Sequence, residues 1–368
     1  MLYIQLDREG GVRQLEKAFA IADAHEPTQS LMILACEGNG FTPLKVDHIL
    51  RSCSKPVFGG VFTKIMYNQE ILERGTIVAG IGPSMSTMIL EDLSEIDDLD
   101  GALEKGFTVQ NLRDKTMFAF VEGRHRRSPE LVESMLNTYG LFPNYIGGGA
   151  GSLTNDKPCI ITGKGLLSNA AVFAVGYIKS GIGVAHGFKL SVGPFKVTES
   201  SGDTIVSLNW RPAREVYQEV VEGLSGEPFA GSDFFQWARM FPFGIARLSR
   251  EMVIRIPLTA VGDELICGGA VPINSMIYIM EGSRRSLIEG AAKARALAWE
   301  SFGQIRSVDI NRAPTTFFID CIARAASLGS RHQLALDAVY DGTPLIGALS
   351  LGELANTGKN YLELYNKT

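Results

Sequence analysis

The sequence predicts an α/β fold: repeated β-α-β-β units that form mixed sheets flanked by helices, in two lobes with a β-rich middle segment. Three observations predict it. One order of elements recurs three times: apolar run, helical period, proline-led apolar run, glycines, second apolar run. The spacing from first run to glycine is similar in each copy, from Leu31 to Gly59, Met117 to Gly147 and Phe317 to Gly347. Between residues 178 and 282 this order gives way to short runs broken by Gly-Pro and Ser-Gly-Asp turns.

In chain order, residues 11–25 are helical by composition and precede the first unit, "SLMILACEGNG", "LKVDHILRSC", "KPVFGGVFTK" and "GTIVAGIG". Apolar runs this short, alternating with helical periods, are strands buried on both faces. The acidic stretch 90–106 reads as a solvated connector to the second unit. That unit runs "TMFAFVEGRHRRS", "PELVESMLNTYG", "FPNYIGGGAGS" and "NAAVFAVGYI", with Ser128-Pro129-Glu130 supplying helix-start signals. In the middle segment, a hairpin at 201–203 and a helix in "RPAREVYQEVVEGL" precede strands in "EMVIRIPL", "ELICGGAVP" and "SMIYIMEG". A helix over 286–302 leads to the third unit, "TTFFIDCIARAAS", "RHQLALDAVYDG", "TPLIGALSLGE" and "NYLELYNKT".

Composition narrows the function classes. The chain has 368 residues, 45% hydrophobic and 20% charged, with a formal charge of −5. That length supports more than one cooperating core, and the charge speaks against a nucleic-acid partner. No apolar run reaches the roughly 18–20 residues of a membrane span, and the N-terminus carries no leader pattern. The five cysteines, Cys36, Cys53, Cys159, Cys267 and Cys321, form no CxxC pair. A cytoplasmic protein with reduced thiols is the expectation.

The glycine-rich stretches are not phosphate loops. Lys164 is followed by Gly165 and Lys359 by Asn360, so no Walker pattern closes, and Ser152 stands where GxGxxG needs its last glycine. The expectation is a tight turn at positive φ whose main chain lines a concavity. Such a turn serves either close packing or close approach of a ligand, and both readings stay open. Ligand sites in α/β units lie at the carboxyl ends of strands.

Three stretches resemble the FIST family, a sensory domain with an N-terminal and a C-terminal part. "NYIGGGAGSLTND" looks like its glycine-rich segment, and "GVAHGFKLSVGPFKVTESSGDTIVSLNWRPAREVY" is similar to its central signature. "TPLIGALSLGELANTGKNYLELYNKT" resembles its C-terminal pattern, with Gly352-Glu353-Leu354 in place of Gly-Glu-Ile and Asn366-Lys367-Thr368 in place of Asn-Gln-Thr. The resemblance implies a FIST N-terminal domain over 1–205 and a FIST C-terminal domain over 206–368. It implies a sensor of a small ligand, an amino acid or similar, that reports to a separate partner, with a homodimer left open. One branch of the family binds haem b and senses nitric oxide with a histidine kinase or a cyclic-di-GMP enzyme.

Candidate site residues follow from position. Arg124 and His125 lie between a strand end and a helix N-terminus, where an anion would be favoured; exposure to solvent is the alternative. Gly147, Gly148, Gly149, Gly151 and Gly347 are the main-chain candidates. Asp320 would hold the amine of an amino acid and Arg324 its carboxylate, with Glu353 a further acid. Cys36 and Glu37 stand at the position in unit one that matches Cys321. His186 is the candidate haem ligand, with a hydrogen-bonded strand-end histidine as the alternative. An enzyme using Cys321 with His332 as base is the reading outside sensing.

Overall fold

The computed structural model describes residues 2–153, 157–228, 234–246, 252–305, 314–356 and 361–365; Thr154–Asp156, in the glycine-rich segment, and the terminal Asn366–Thr368 lie outside them. The first unit comprises β1 (Leu2–Asp7), α1 (Val12–Ala24), β2 (Ser30–Cys36), α2 (Pro43–Leu50), β3 (Val57–Phe62), the short hairpin β4 (Ile65–Tyr67) and β5 (Glu70–Leu72), and β6 (Thr76–Ile81). β2, β3 and β6 are buried at every residue, as their unbroken apolar runs require. The second unit follows as β7 (Ser86–Leu90), α3 (Leu99–Glu104), β8 (Thr116–Glu122), α4 (Ser128–Tyr139), β9 (Asn144–Ala150), the hairpin β10 (Ile160–Thr162) and β11 (Gly165–Leu167), and β12 (Ala171–Gly176). The acidic connector is thus partly folded: α3 buries Leu99 and Leu103 and is capped by Asp98, which accepts from Gly101 N at 2.9 Å. In α4, Ser128 is the first helical residue, and its hydroxyl donates to Glu122 O at 2.8 Å instead of capping.

The middle segment carries β13 (Lys189–Ser201), β14 (Thr204–Leu208), β15 (Arg211–Pro212), α5 (Ala213–Ser225), α6 (Phe234–Met240), β16 (Phe243–Ala246), β17 (Met252–Arg255), β18 (Pro257–Val261), β19 (Glu264–Cys267) and β20 (Met276–Glu281). They form an antiparallel eight-stranded sheet in which the long β13 pairs with β20 along its first half and β14 along its second. α5 covers that sheet through Val216, Tyr217 and Val221, packed against Ile205, Leu208 and Phe243. The third unit is α7 (Arg284–Gly303), β21 (Thr316–Cys321), α8 (Ile322–Leu328), α9 (His332–Val339), β22 (Leu345–Ser350), β23 (Glu353–Asn356) and β24 (Leu362–Tyr365).

The repeat is real, and its glycines mark one register. Ile33 lies opposite Gly59, Ala119 opposite Gly147 and Phe318 opposite Gly347, each across a parallel strand pair. The sheets also exchange hairpins in a ring. β3 of unit one pairs with β10 of unit two, β9 of unit two with β23 of unit three, and β22 of unit three with β4 of unit one. In every case the strand that is lent sets an aliphatic residue (Ile161, Leu354 or Met66) opposite the glycine. The exchange covers three apolar strands that would otherwise be sheet edges. The third copy departs from the other two at its end. β6 and β12 return to pair with β2 and β8 of their own units, whereas β24 pairs with β23 in unit two's sheet.

The inner faces of the three sheets pack on one another through aromatic rings. Phe58, Phe62, Phe118, Phe120 and Phe317, drawn from all three units, stand with ring centroids 5.6–6.4 Å apart. The space between the units is therefore a core. All five cysteines are free, and no helix among the described residues is long and apolar enough to cross a membrane.

Candidate functional site

The carboxyl ends of the three parallel pairs were the expected site, and the glycine run there is strand rather than turn. Gly147, Gly148 and Gly149 lie inside β9, with the run's positive φ only at Gly151, at 128°. A Cβ on Gly147 would fall 1.8 Å from Ala119 O, and one on Gly59 or Gly347 would fall 1.9 Å from Ile33 O or 2.0 Å from Phe318 O. Gly148 and Gly149 meet Gly352 O at 2.8 Å and Gly123 Cα at 2.6 Å in the same way. These glycines let one strand approach another, the packing alternative of the two. Beside Gly151 there is a crevice of about 20 Å³, lined by Glu37, Ser152, Lys157 and Cys159. That is room for one water. Among the described residues the bare main chain of Gly59, Gly147 and Gly347 is met by the neighbouring main chain and so does not line the concavity expected here.

At the end of β21 the predicted pair of amine and carboxylate receptors is a pair with itself. Arg324 Nη1 donates to Asp320 Oδ1 at 2.6 Å, both side chains being essentially inaccessible, and His332 Nε2 lies 2.8 Å from Asp320 Oδ2. Arg324 Nη2 donates to Leu287 O at 2.7 Å, and Cys321 N donates to Asp320 Oδ1 at 2.8 Å. Burial alone would push the Asp320 carboxyl up; Arg324 and His332 outweigh it and hold it below the usual carboxylate range. The triad ties β21 to α8 and α9. His332 presents Nε2 to Asp320 and not to the Cys321 thiol, so the imagined nucleophile and base are not assembled. Glu353, also buried, accepts from Ser350 Oγ at 3.0 Å beside the same cluster.

The basic loop after β8 is turned to internal acceptors. Arg124 Nη1 donates to Leu153 O at 3.1 Å, and His125 Nε2 lies 3.1 Å from Ser94 Oγ. Arg127 forks onto Glu130 at 2.9 Å through two nitrogens. Arg124 is exposed at the surface.

His186 does not fit an axial haem ligand. Such an imidazole donates Nδ1–H and leaves Nε2 for iron, whereas Nδ1 here accepts from Phe188 N at 2.9 Å. Burial pushes the imidazole down to about 4, with Lys293 adding to the effect. The segment that carries it is also packed tightly against α7. Gly181, Gly183 and Gly187 lie so close to α7 that a Cβ would stand 2.2 Å from Ala298 O, 1.9 Å from Ala294 O or 2.2 Å from Ser286 O. The strand-end alternative describes this histidine.

A ligand-sized concavity lies instead on the middle sheet. It measures about 640 Å³ and opens to solvent between two hairpin tips, with Trp210 and Arg211 on one side and Val261, Asp263 and Glu264 on the other. That volume falls within the range of small-molecule sites, roughly 300–1,000 Å³. The first tip is a two-residue turn in which Leu208 faces Arg211, with φ of 49° at Asn209 and 62° at Trp210. Asparagine tolerates that left-handed region; a bulky side chain there is an outlier. The turn is held firmly. Asn209 N donates to Lys196 O and Lys196 N to Asn209 Oδ1, both at 2.9 Å, and Trp210 N donates to Thr198 Oγ1 at 3.1 Å. Trp210 is 78% exposed. The sequence analysis did not single out this site, although "SLNWRP" lies in the stretch that resembles the family signature; Asn-Trp between a strand-like run and a helical one was the available signal.

Two family models match the chain: the FIST N domain over residues 30–211 and the FIST C domain over residues 213–356. They meet at residue 212, at the end of β15, whereas the division expected between 205 and 206 lies inside β14. No curated protein matches the chain.

Proposed function

The chain belongs to the FIST family, with its N and C domains in tandem and the general sensory role of that family, and from that premise we propose that it binds a small molecule and passes occupancy to a separate signalling protein in the cytoplasm. The observation that carries the reading is the open concavity between Trp210 and Asp263. It is of ligand size, and its walls are two hairpin tips of the middle sheet. The residues beside it begin α5, which leads from the junction of the two matched domains into the second. A ligand that contacts both tips would favour one arrangement of that junction over another, and only such a difference in affinity shifts a population.

The first panel spans amino acids, the class the resemblance implies, and simple amines, which carry the same ammonium group without the carboxylate. A thermal-shift panel on the full chain is expected to raise the melting temperature for a small set of compounds. At a hundredfold excess over Kd the gain is about 2.7 kcal/mol. Trp210→Gly should abolish that shift. A panel in which nothing raises the melting temperature, or in which Trp210→Gly leaves the shift intact, defeats the reading.

A further inference from the structure

The charge around the concavity selects among ligands, and this step rests on the reading just given. Arg211, the cation in the lining of the concavity, is already paired: Nη2 donates to Glu215 Oε1 at 2.5 Å and to Glu219 Oε2 at 2.6 Å. Arg214, behind the opposite tip, donates to Gly262 O at 3.0 Å. Asp263 and Glu264 line that tip without a cationic partner among the described residues. A ligand carboxylate would therefore meet an arginine that two glutamates hold, beside two further unpaired acids. A ligand cation would meet those acids and the indole face. The ring already draws a cation, since Lys196 Nζ lies 5.8 Å from its centroid. Apolar contact for a ligand body comes from Val261, which is 58% exposed, and Pro212.

We infer that the Trp210 concavity takes an organic monocation, a protonated amine or quaternary ammonium on a compact apolar body, and discriminates against ligands that also carry a carboxylate. The cation lies between the Trp210 face and the Asp263 and Glu264 carboxylates. Selectivity comes from charge: Glu215 and Glu219 already offset the Arg211 guanidinium through Nη2, so a ligand carboxylate gains little there while it faces Asp263 and Glu264.

The test is a tryptophan-fluorescence titration of the full chain with four probes: choline, n-butylamine, the neutral choline isostere 3,3-dimethylbutan-1-ol, and the zwitterion glycine betaine. Subtracting the Trp210→Gly titration isolates Trp210 from Trp237 and Trp299, and glycine suits that backbone, so the variant folds. Choline and butylamine should quench saturably, at least tenfold more tightly than the alcohol or betaine. The double substitution D263N/E264Q should weaken them at least tenfold, and 0.5 M sodium chloride should weaken them too. The inference is overturned if the alcohol or betaine binds as tightly as choline, if D263N/E264Q leaves cation binding intact, or if no probe changes the Trp210 signal. In the last case, a thermal shift with another compound that Trp210→Gly removes would leave the small-molecule reading standing. A silent panel as well would remove both.

Discussion

Asp320 occupies the register position that Ala35 and Val121 hold in the other two units, and all three are fully buried. A carboxylate in an apolar slot of a repeat is stable only because Arg324 and His332 surround it. Removing one partner should be costly: Arg324→Met is expected to lose about 3–5 kcal/mol in urea unfolding, much of it restored by adding Asp320→Leu. Asp320 is held below its ordinary range, so its contribution is present above about pH 4 and is lost as pH falls through the folded value. Asp320→Asn should flatten that acid limb. His186 acts in a separate window. Its folded value of about 4 lies below the unfolded 6.5, so its contribution is present above pH 6.5 and declines towards pH 4, and His186→Gln should remove that slope. Trp210→Gly should raise stability by about 1 kcal/mol while abolishing ligand binding, since the left-handed turn costs roughly that much for a side chain. The sequence marked Asp320, Arg324 and His332 as worth attention. It did not reveal that they satisfy one another, because the contact spans a strand end and two helices.

At the scale of elements, strands and long helices were legible from their periods: 11–25 became α1 and 286–302 became α7, and the middle segment is antiparallel. The hairpins β4–β5 and β10–β11 were not, since strands of three residues are too short to show a period. The glycines were misread as turns for a related reason. Glycine is a local breaker by propensity, and only the facing carbonyl, distant in sequence, makes it necessary inside β9. Gly147→Ala should therefore cost about 3 kcal/mol or more through overpacking against Ala119 O. Gly223→Ala, in α5 with open space around it, should instead gain about 0.5–1 kcal/mol. Equal effects in chemical denaturation would refute the distinction.

For the whole molecule, the repeat was readable but the exchange of hairpins was not, because pairing between distant segments leaves no local trace. The exchange interlaces the two matched domains: β4 and Met66, from the first, complete the third unit's sheet and core, while β23 from the second completes unit two's sheet. A fragment of residues 1–211 should therefore fail to unfold cooperatively by itself and regain a cooperative transition when mixed with 212–368. Independent, native-like melting of the first fragment would contradict the exchange.

The loan from the C-terminal hairpin also sets the timing of synthesis. β9 emerges from the ribosome long before Glu353–Tyr365, its partner strand and the one beyond it. Throughout that interval the nascent chain presents a glycine-rich, apolar flank with unpaired amides, which any other extended segment can annex. A ribosome stalled short of the β23–β24 hairpin should therefore display a protease-sensitive, chaperone-bound product.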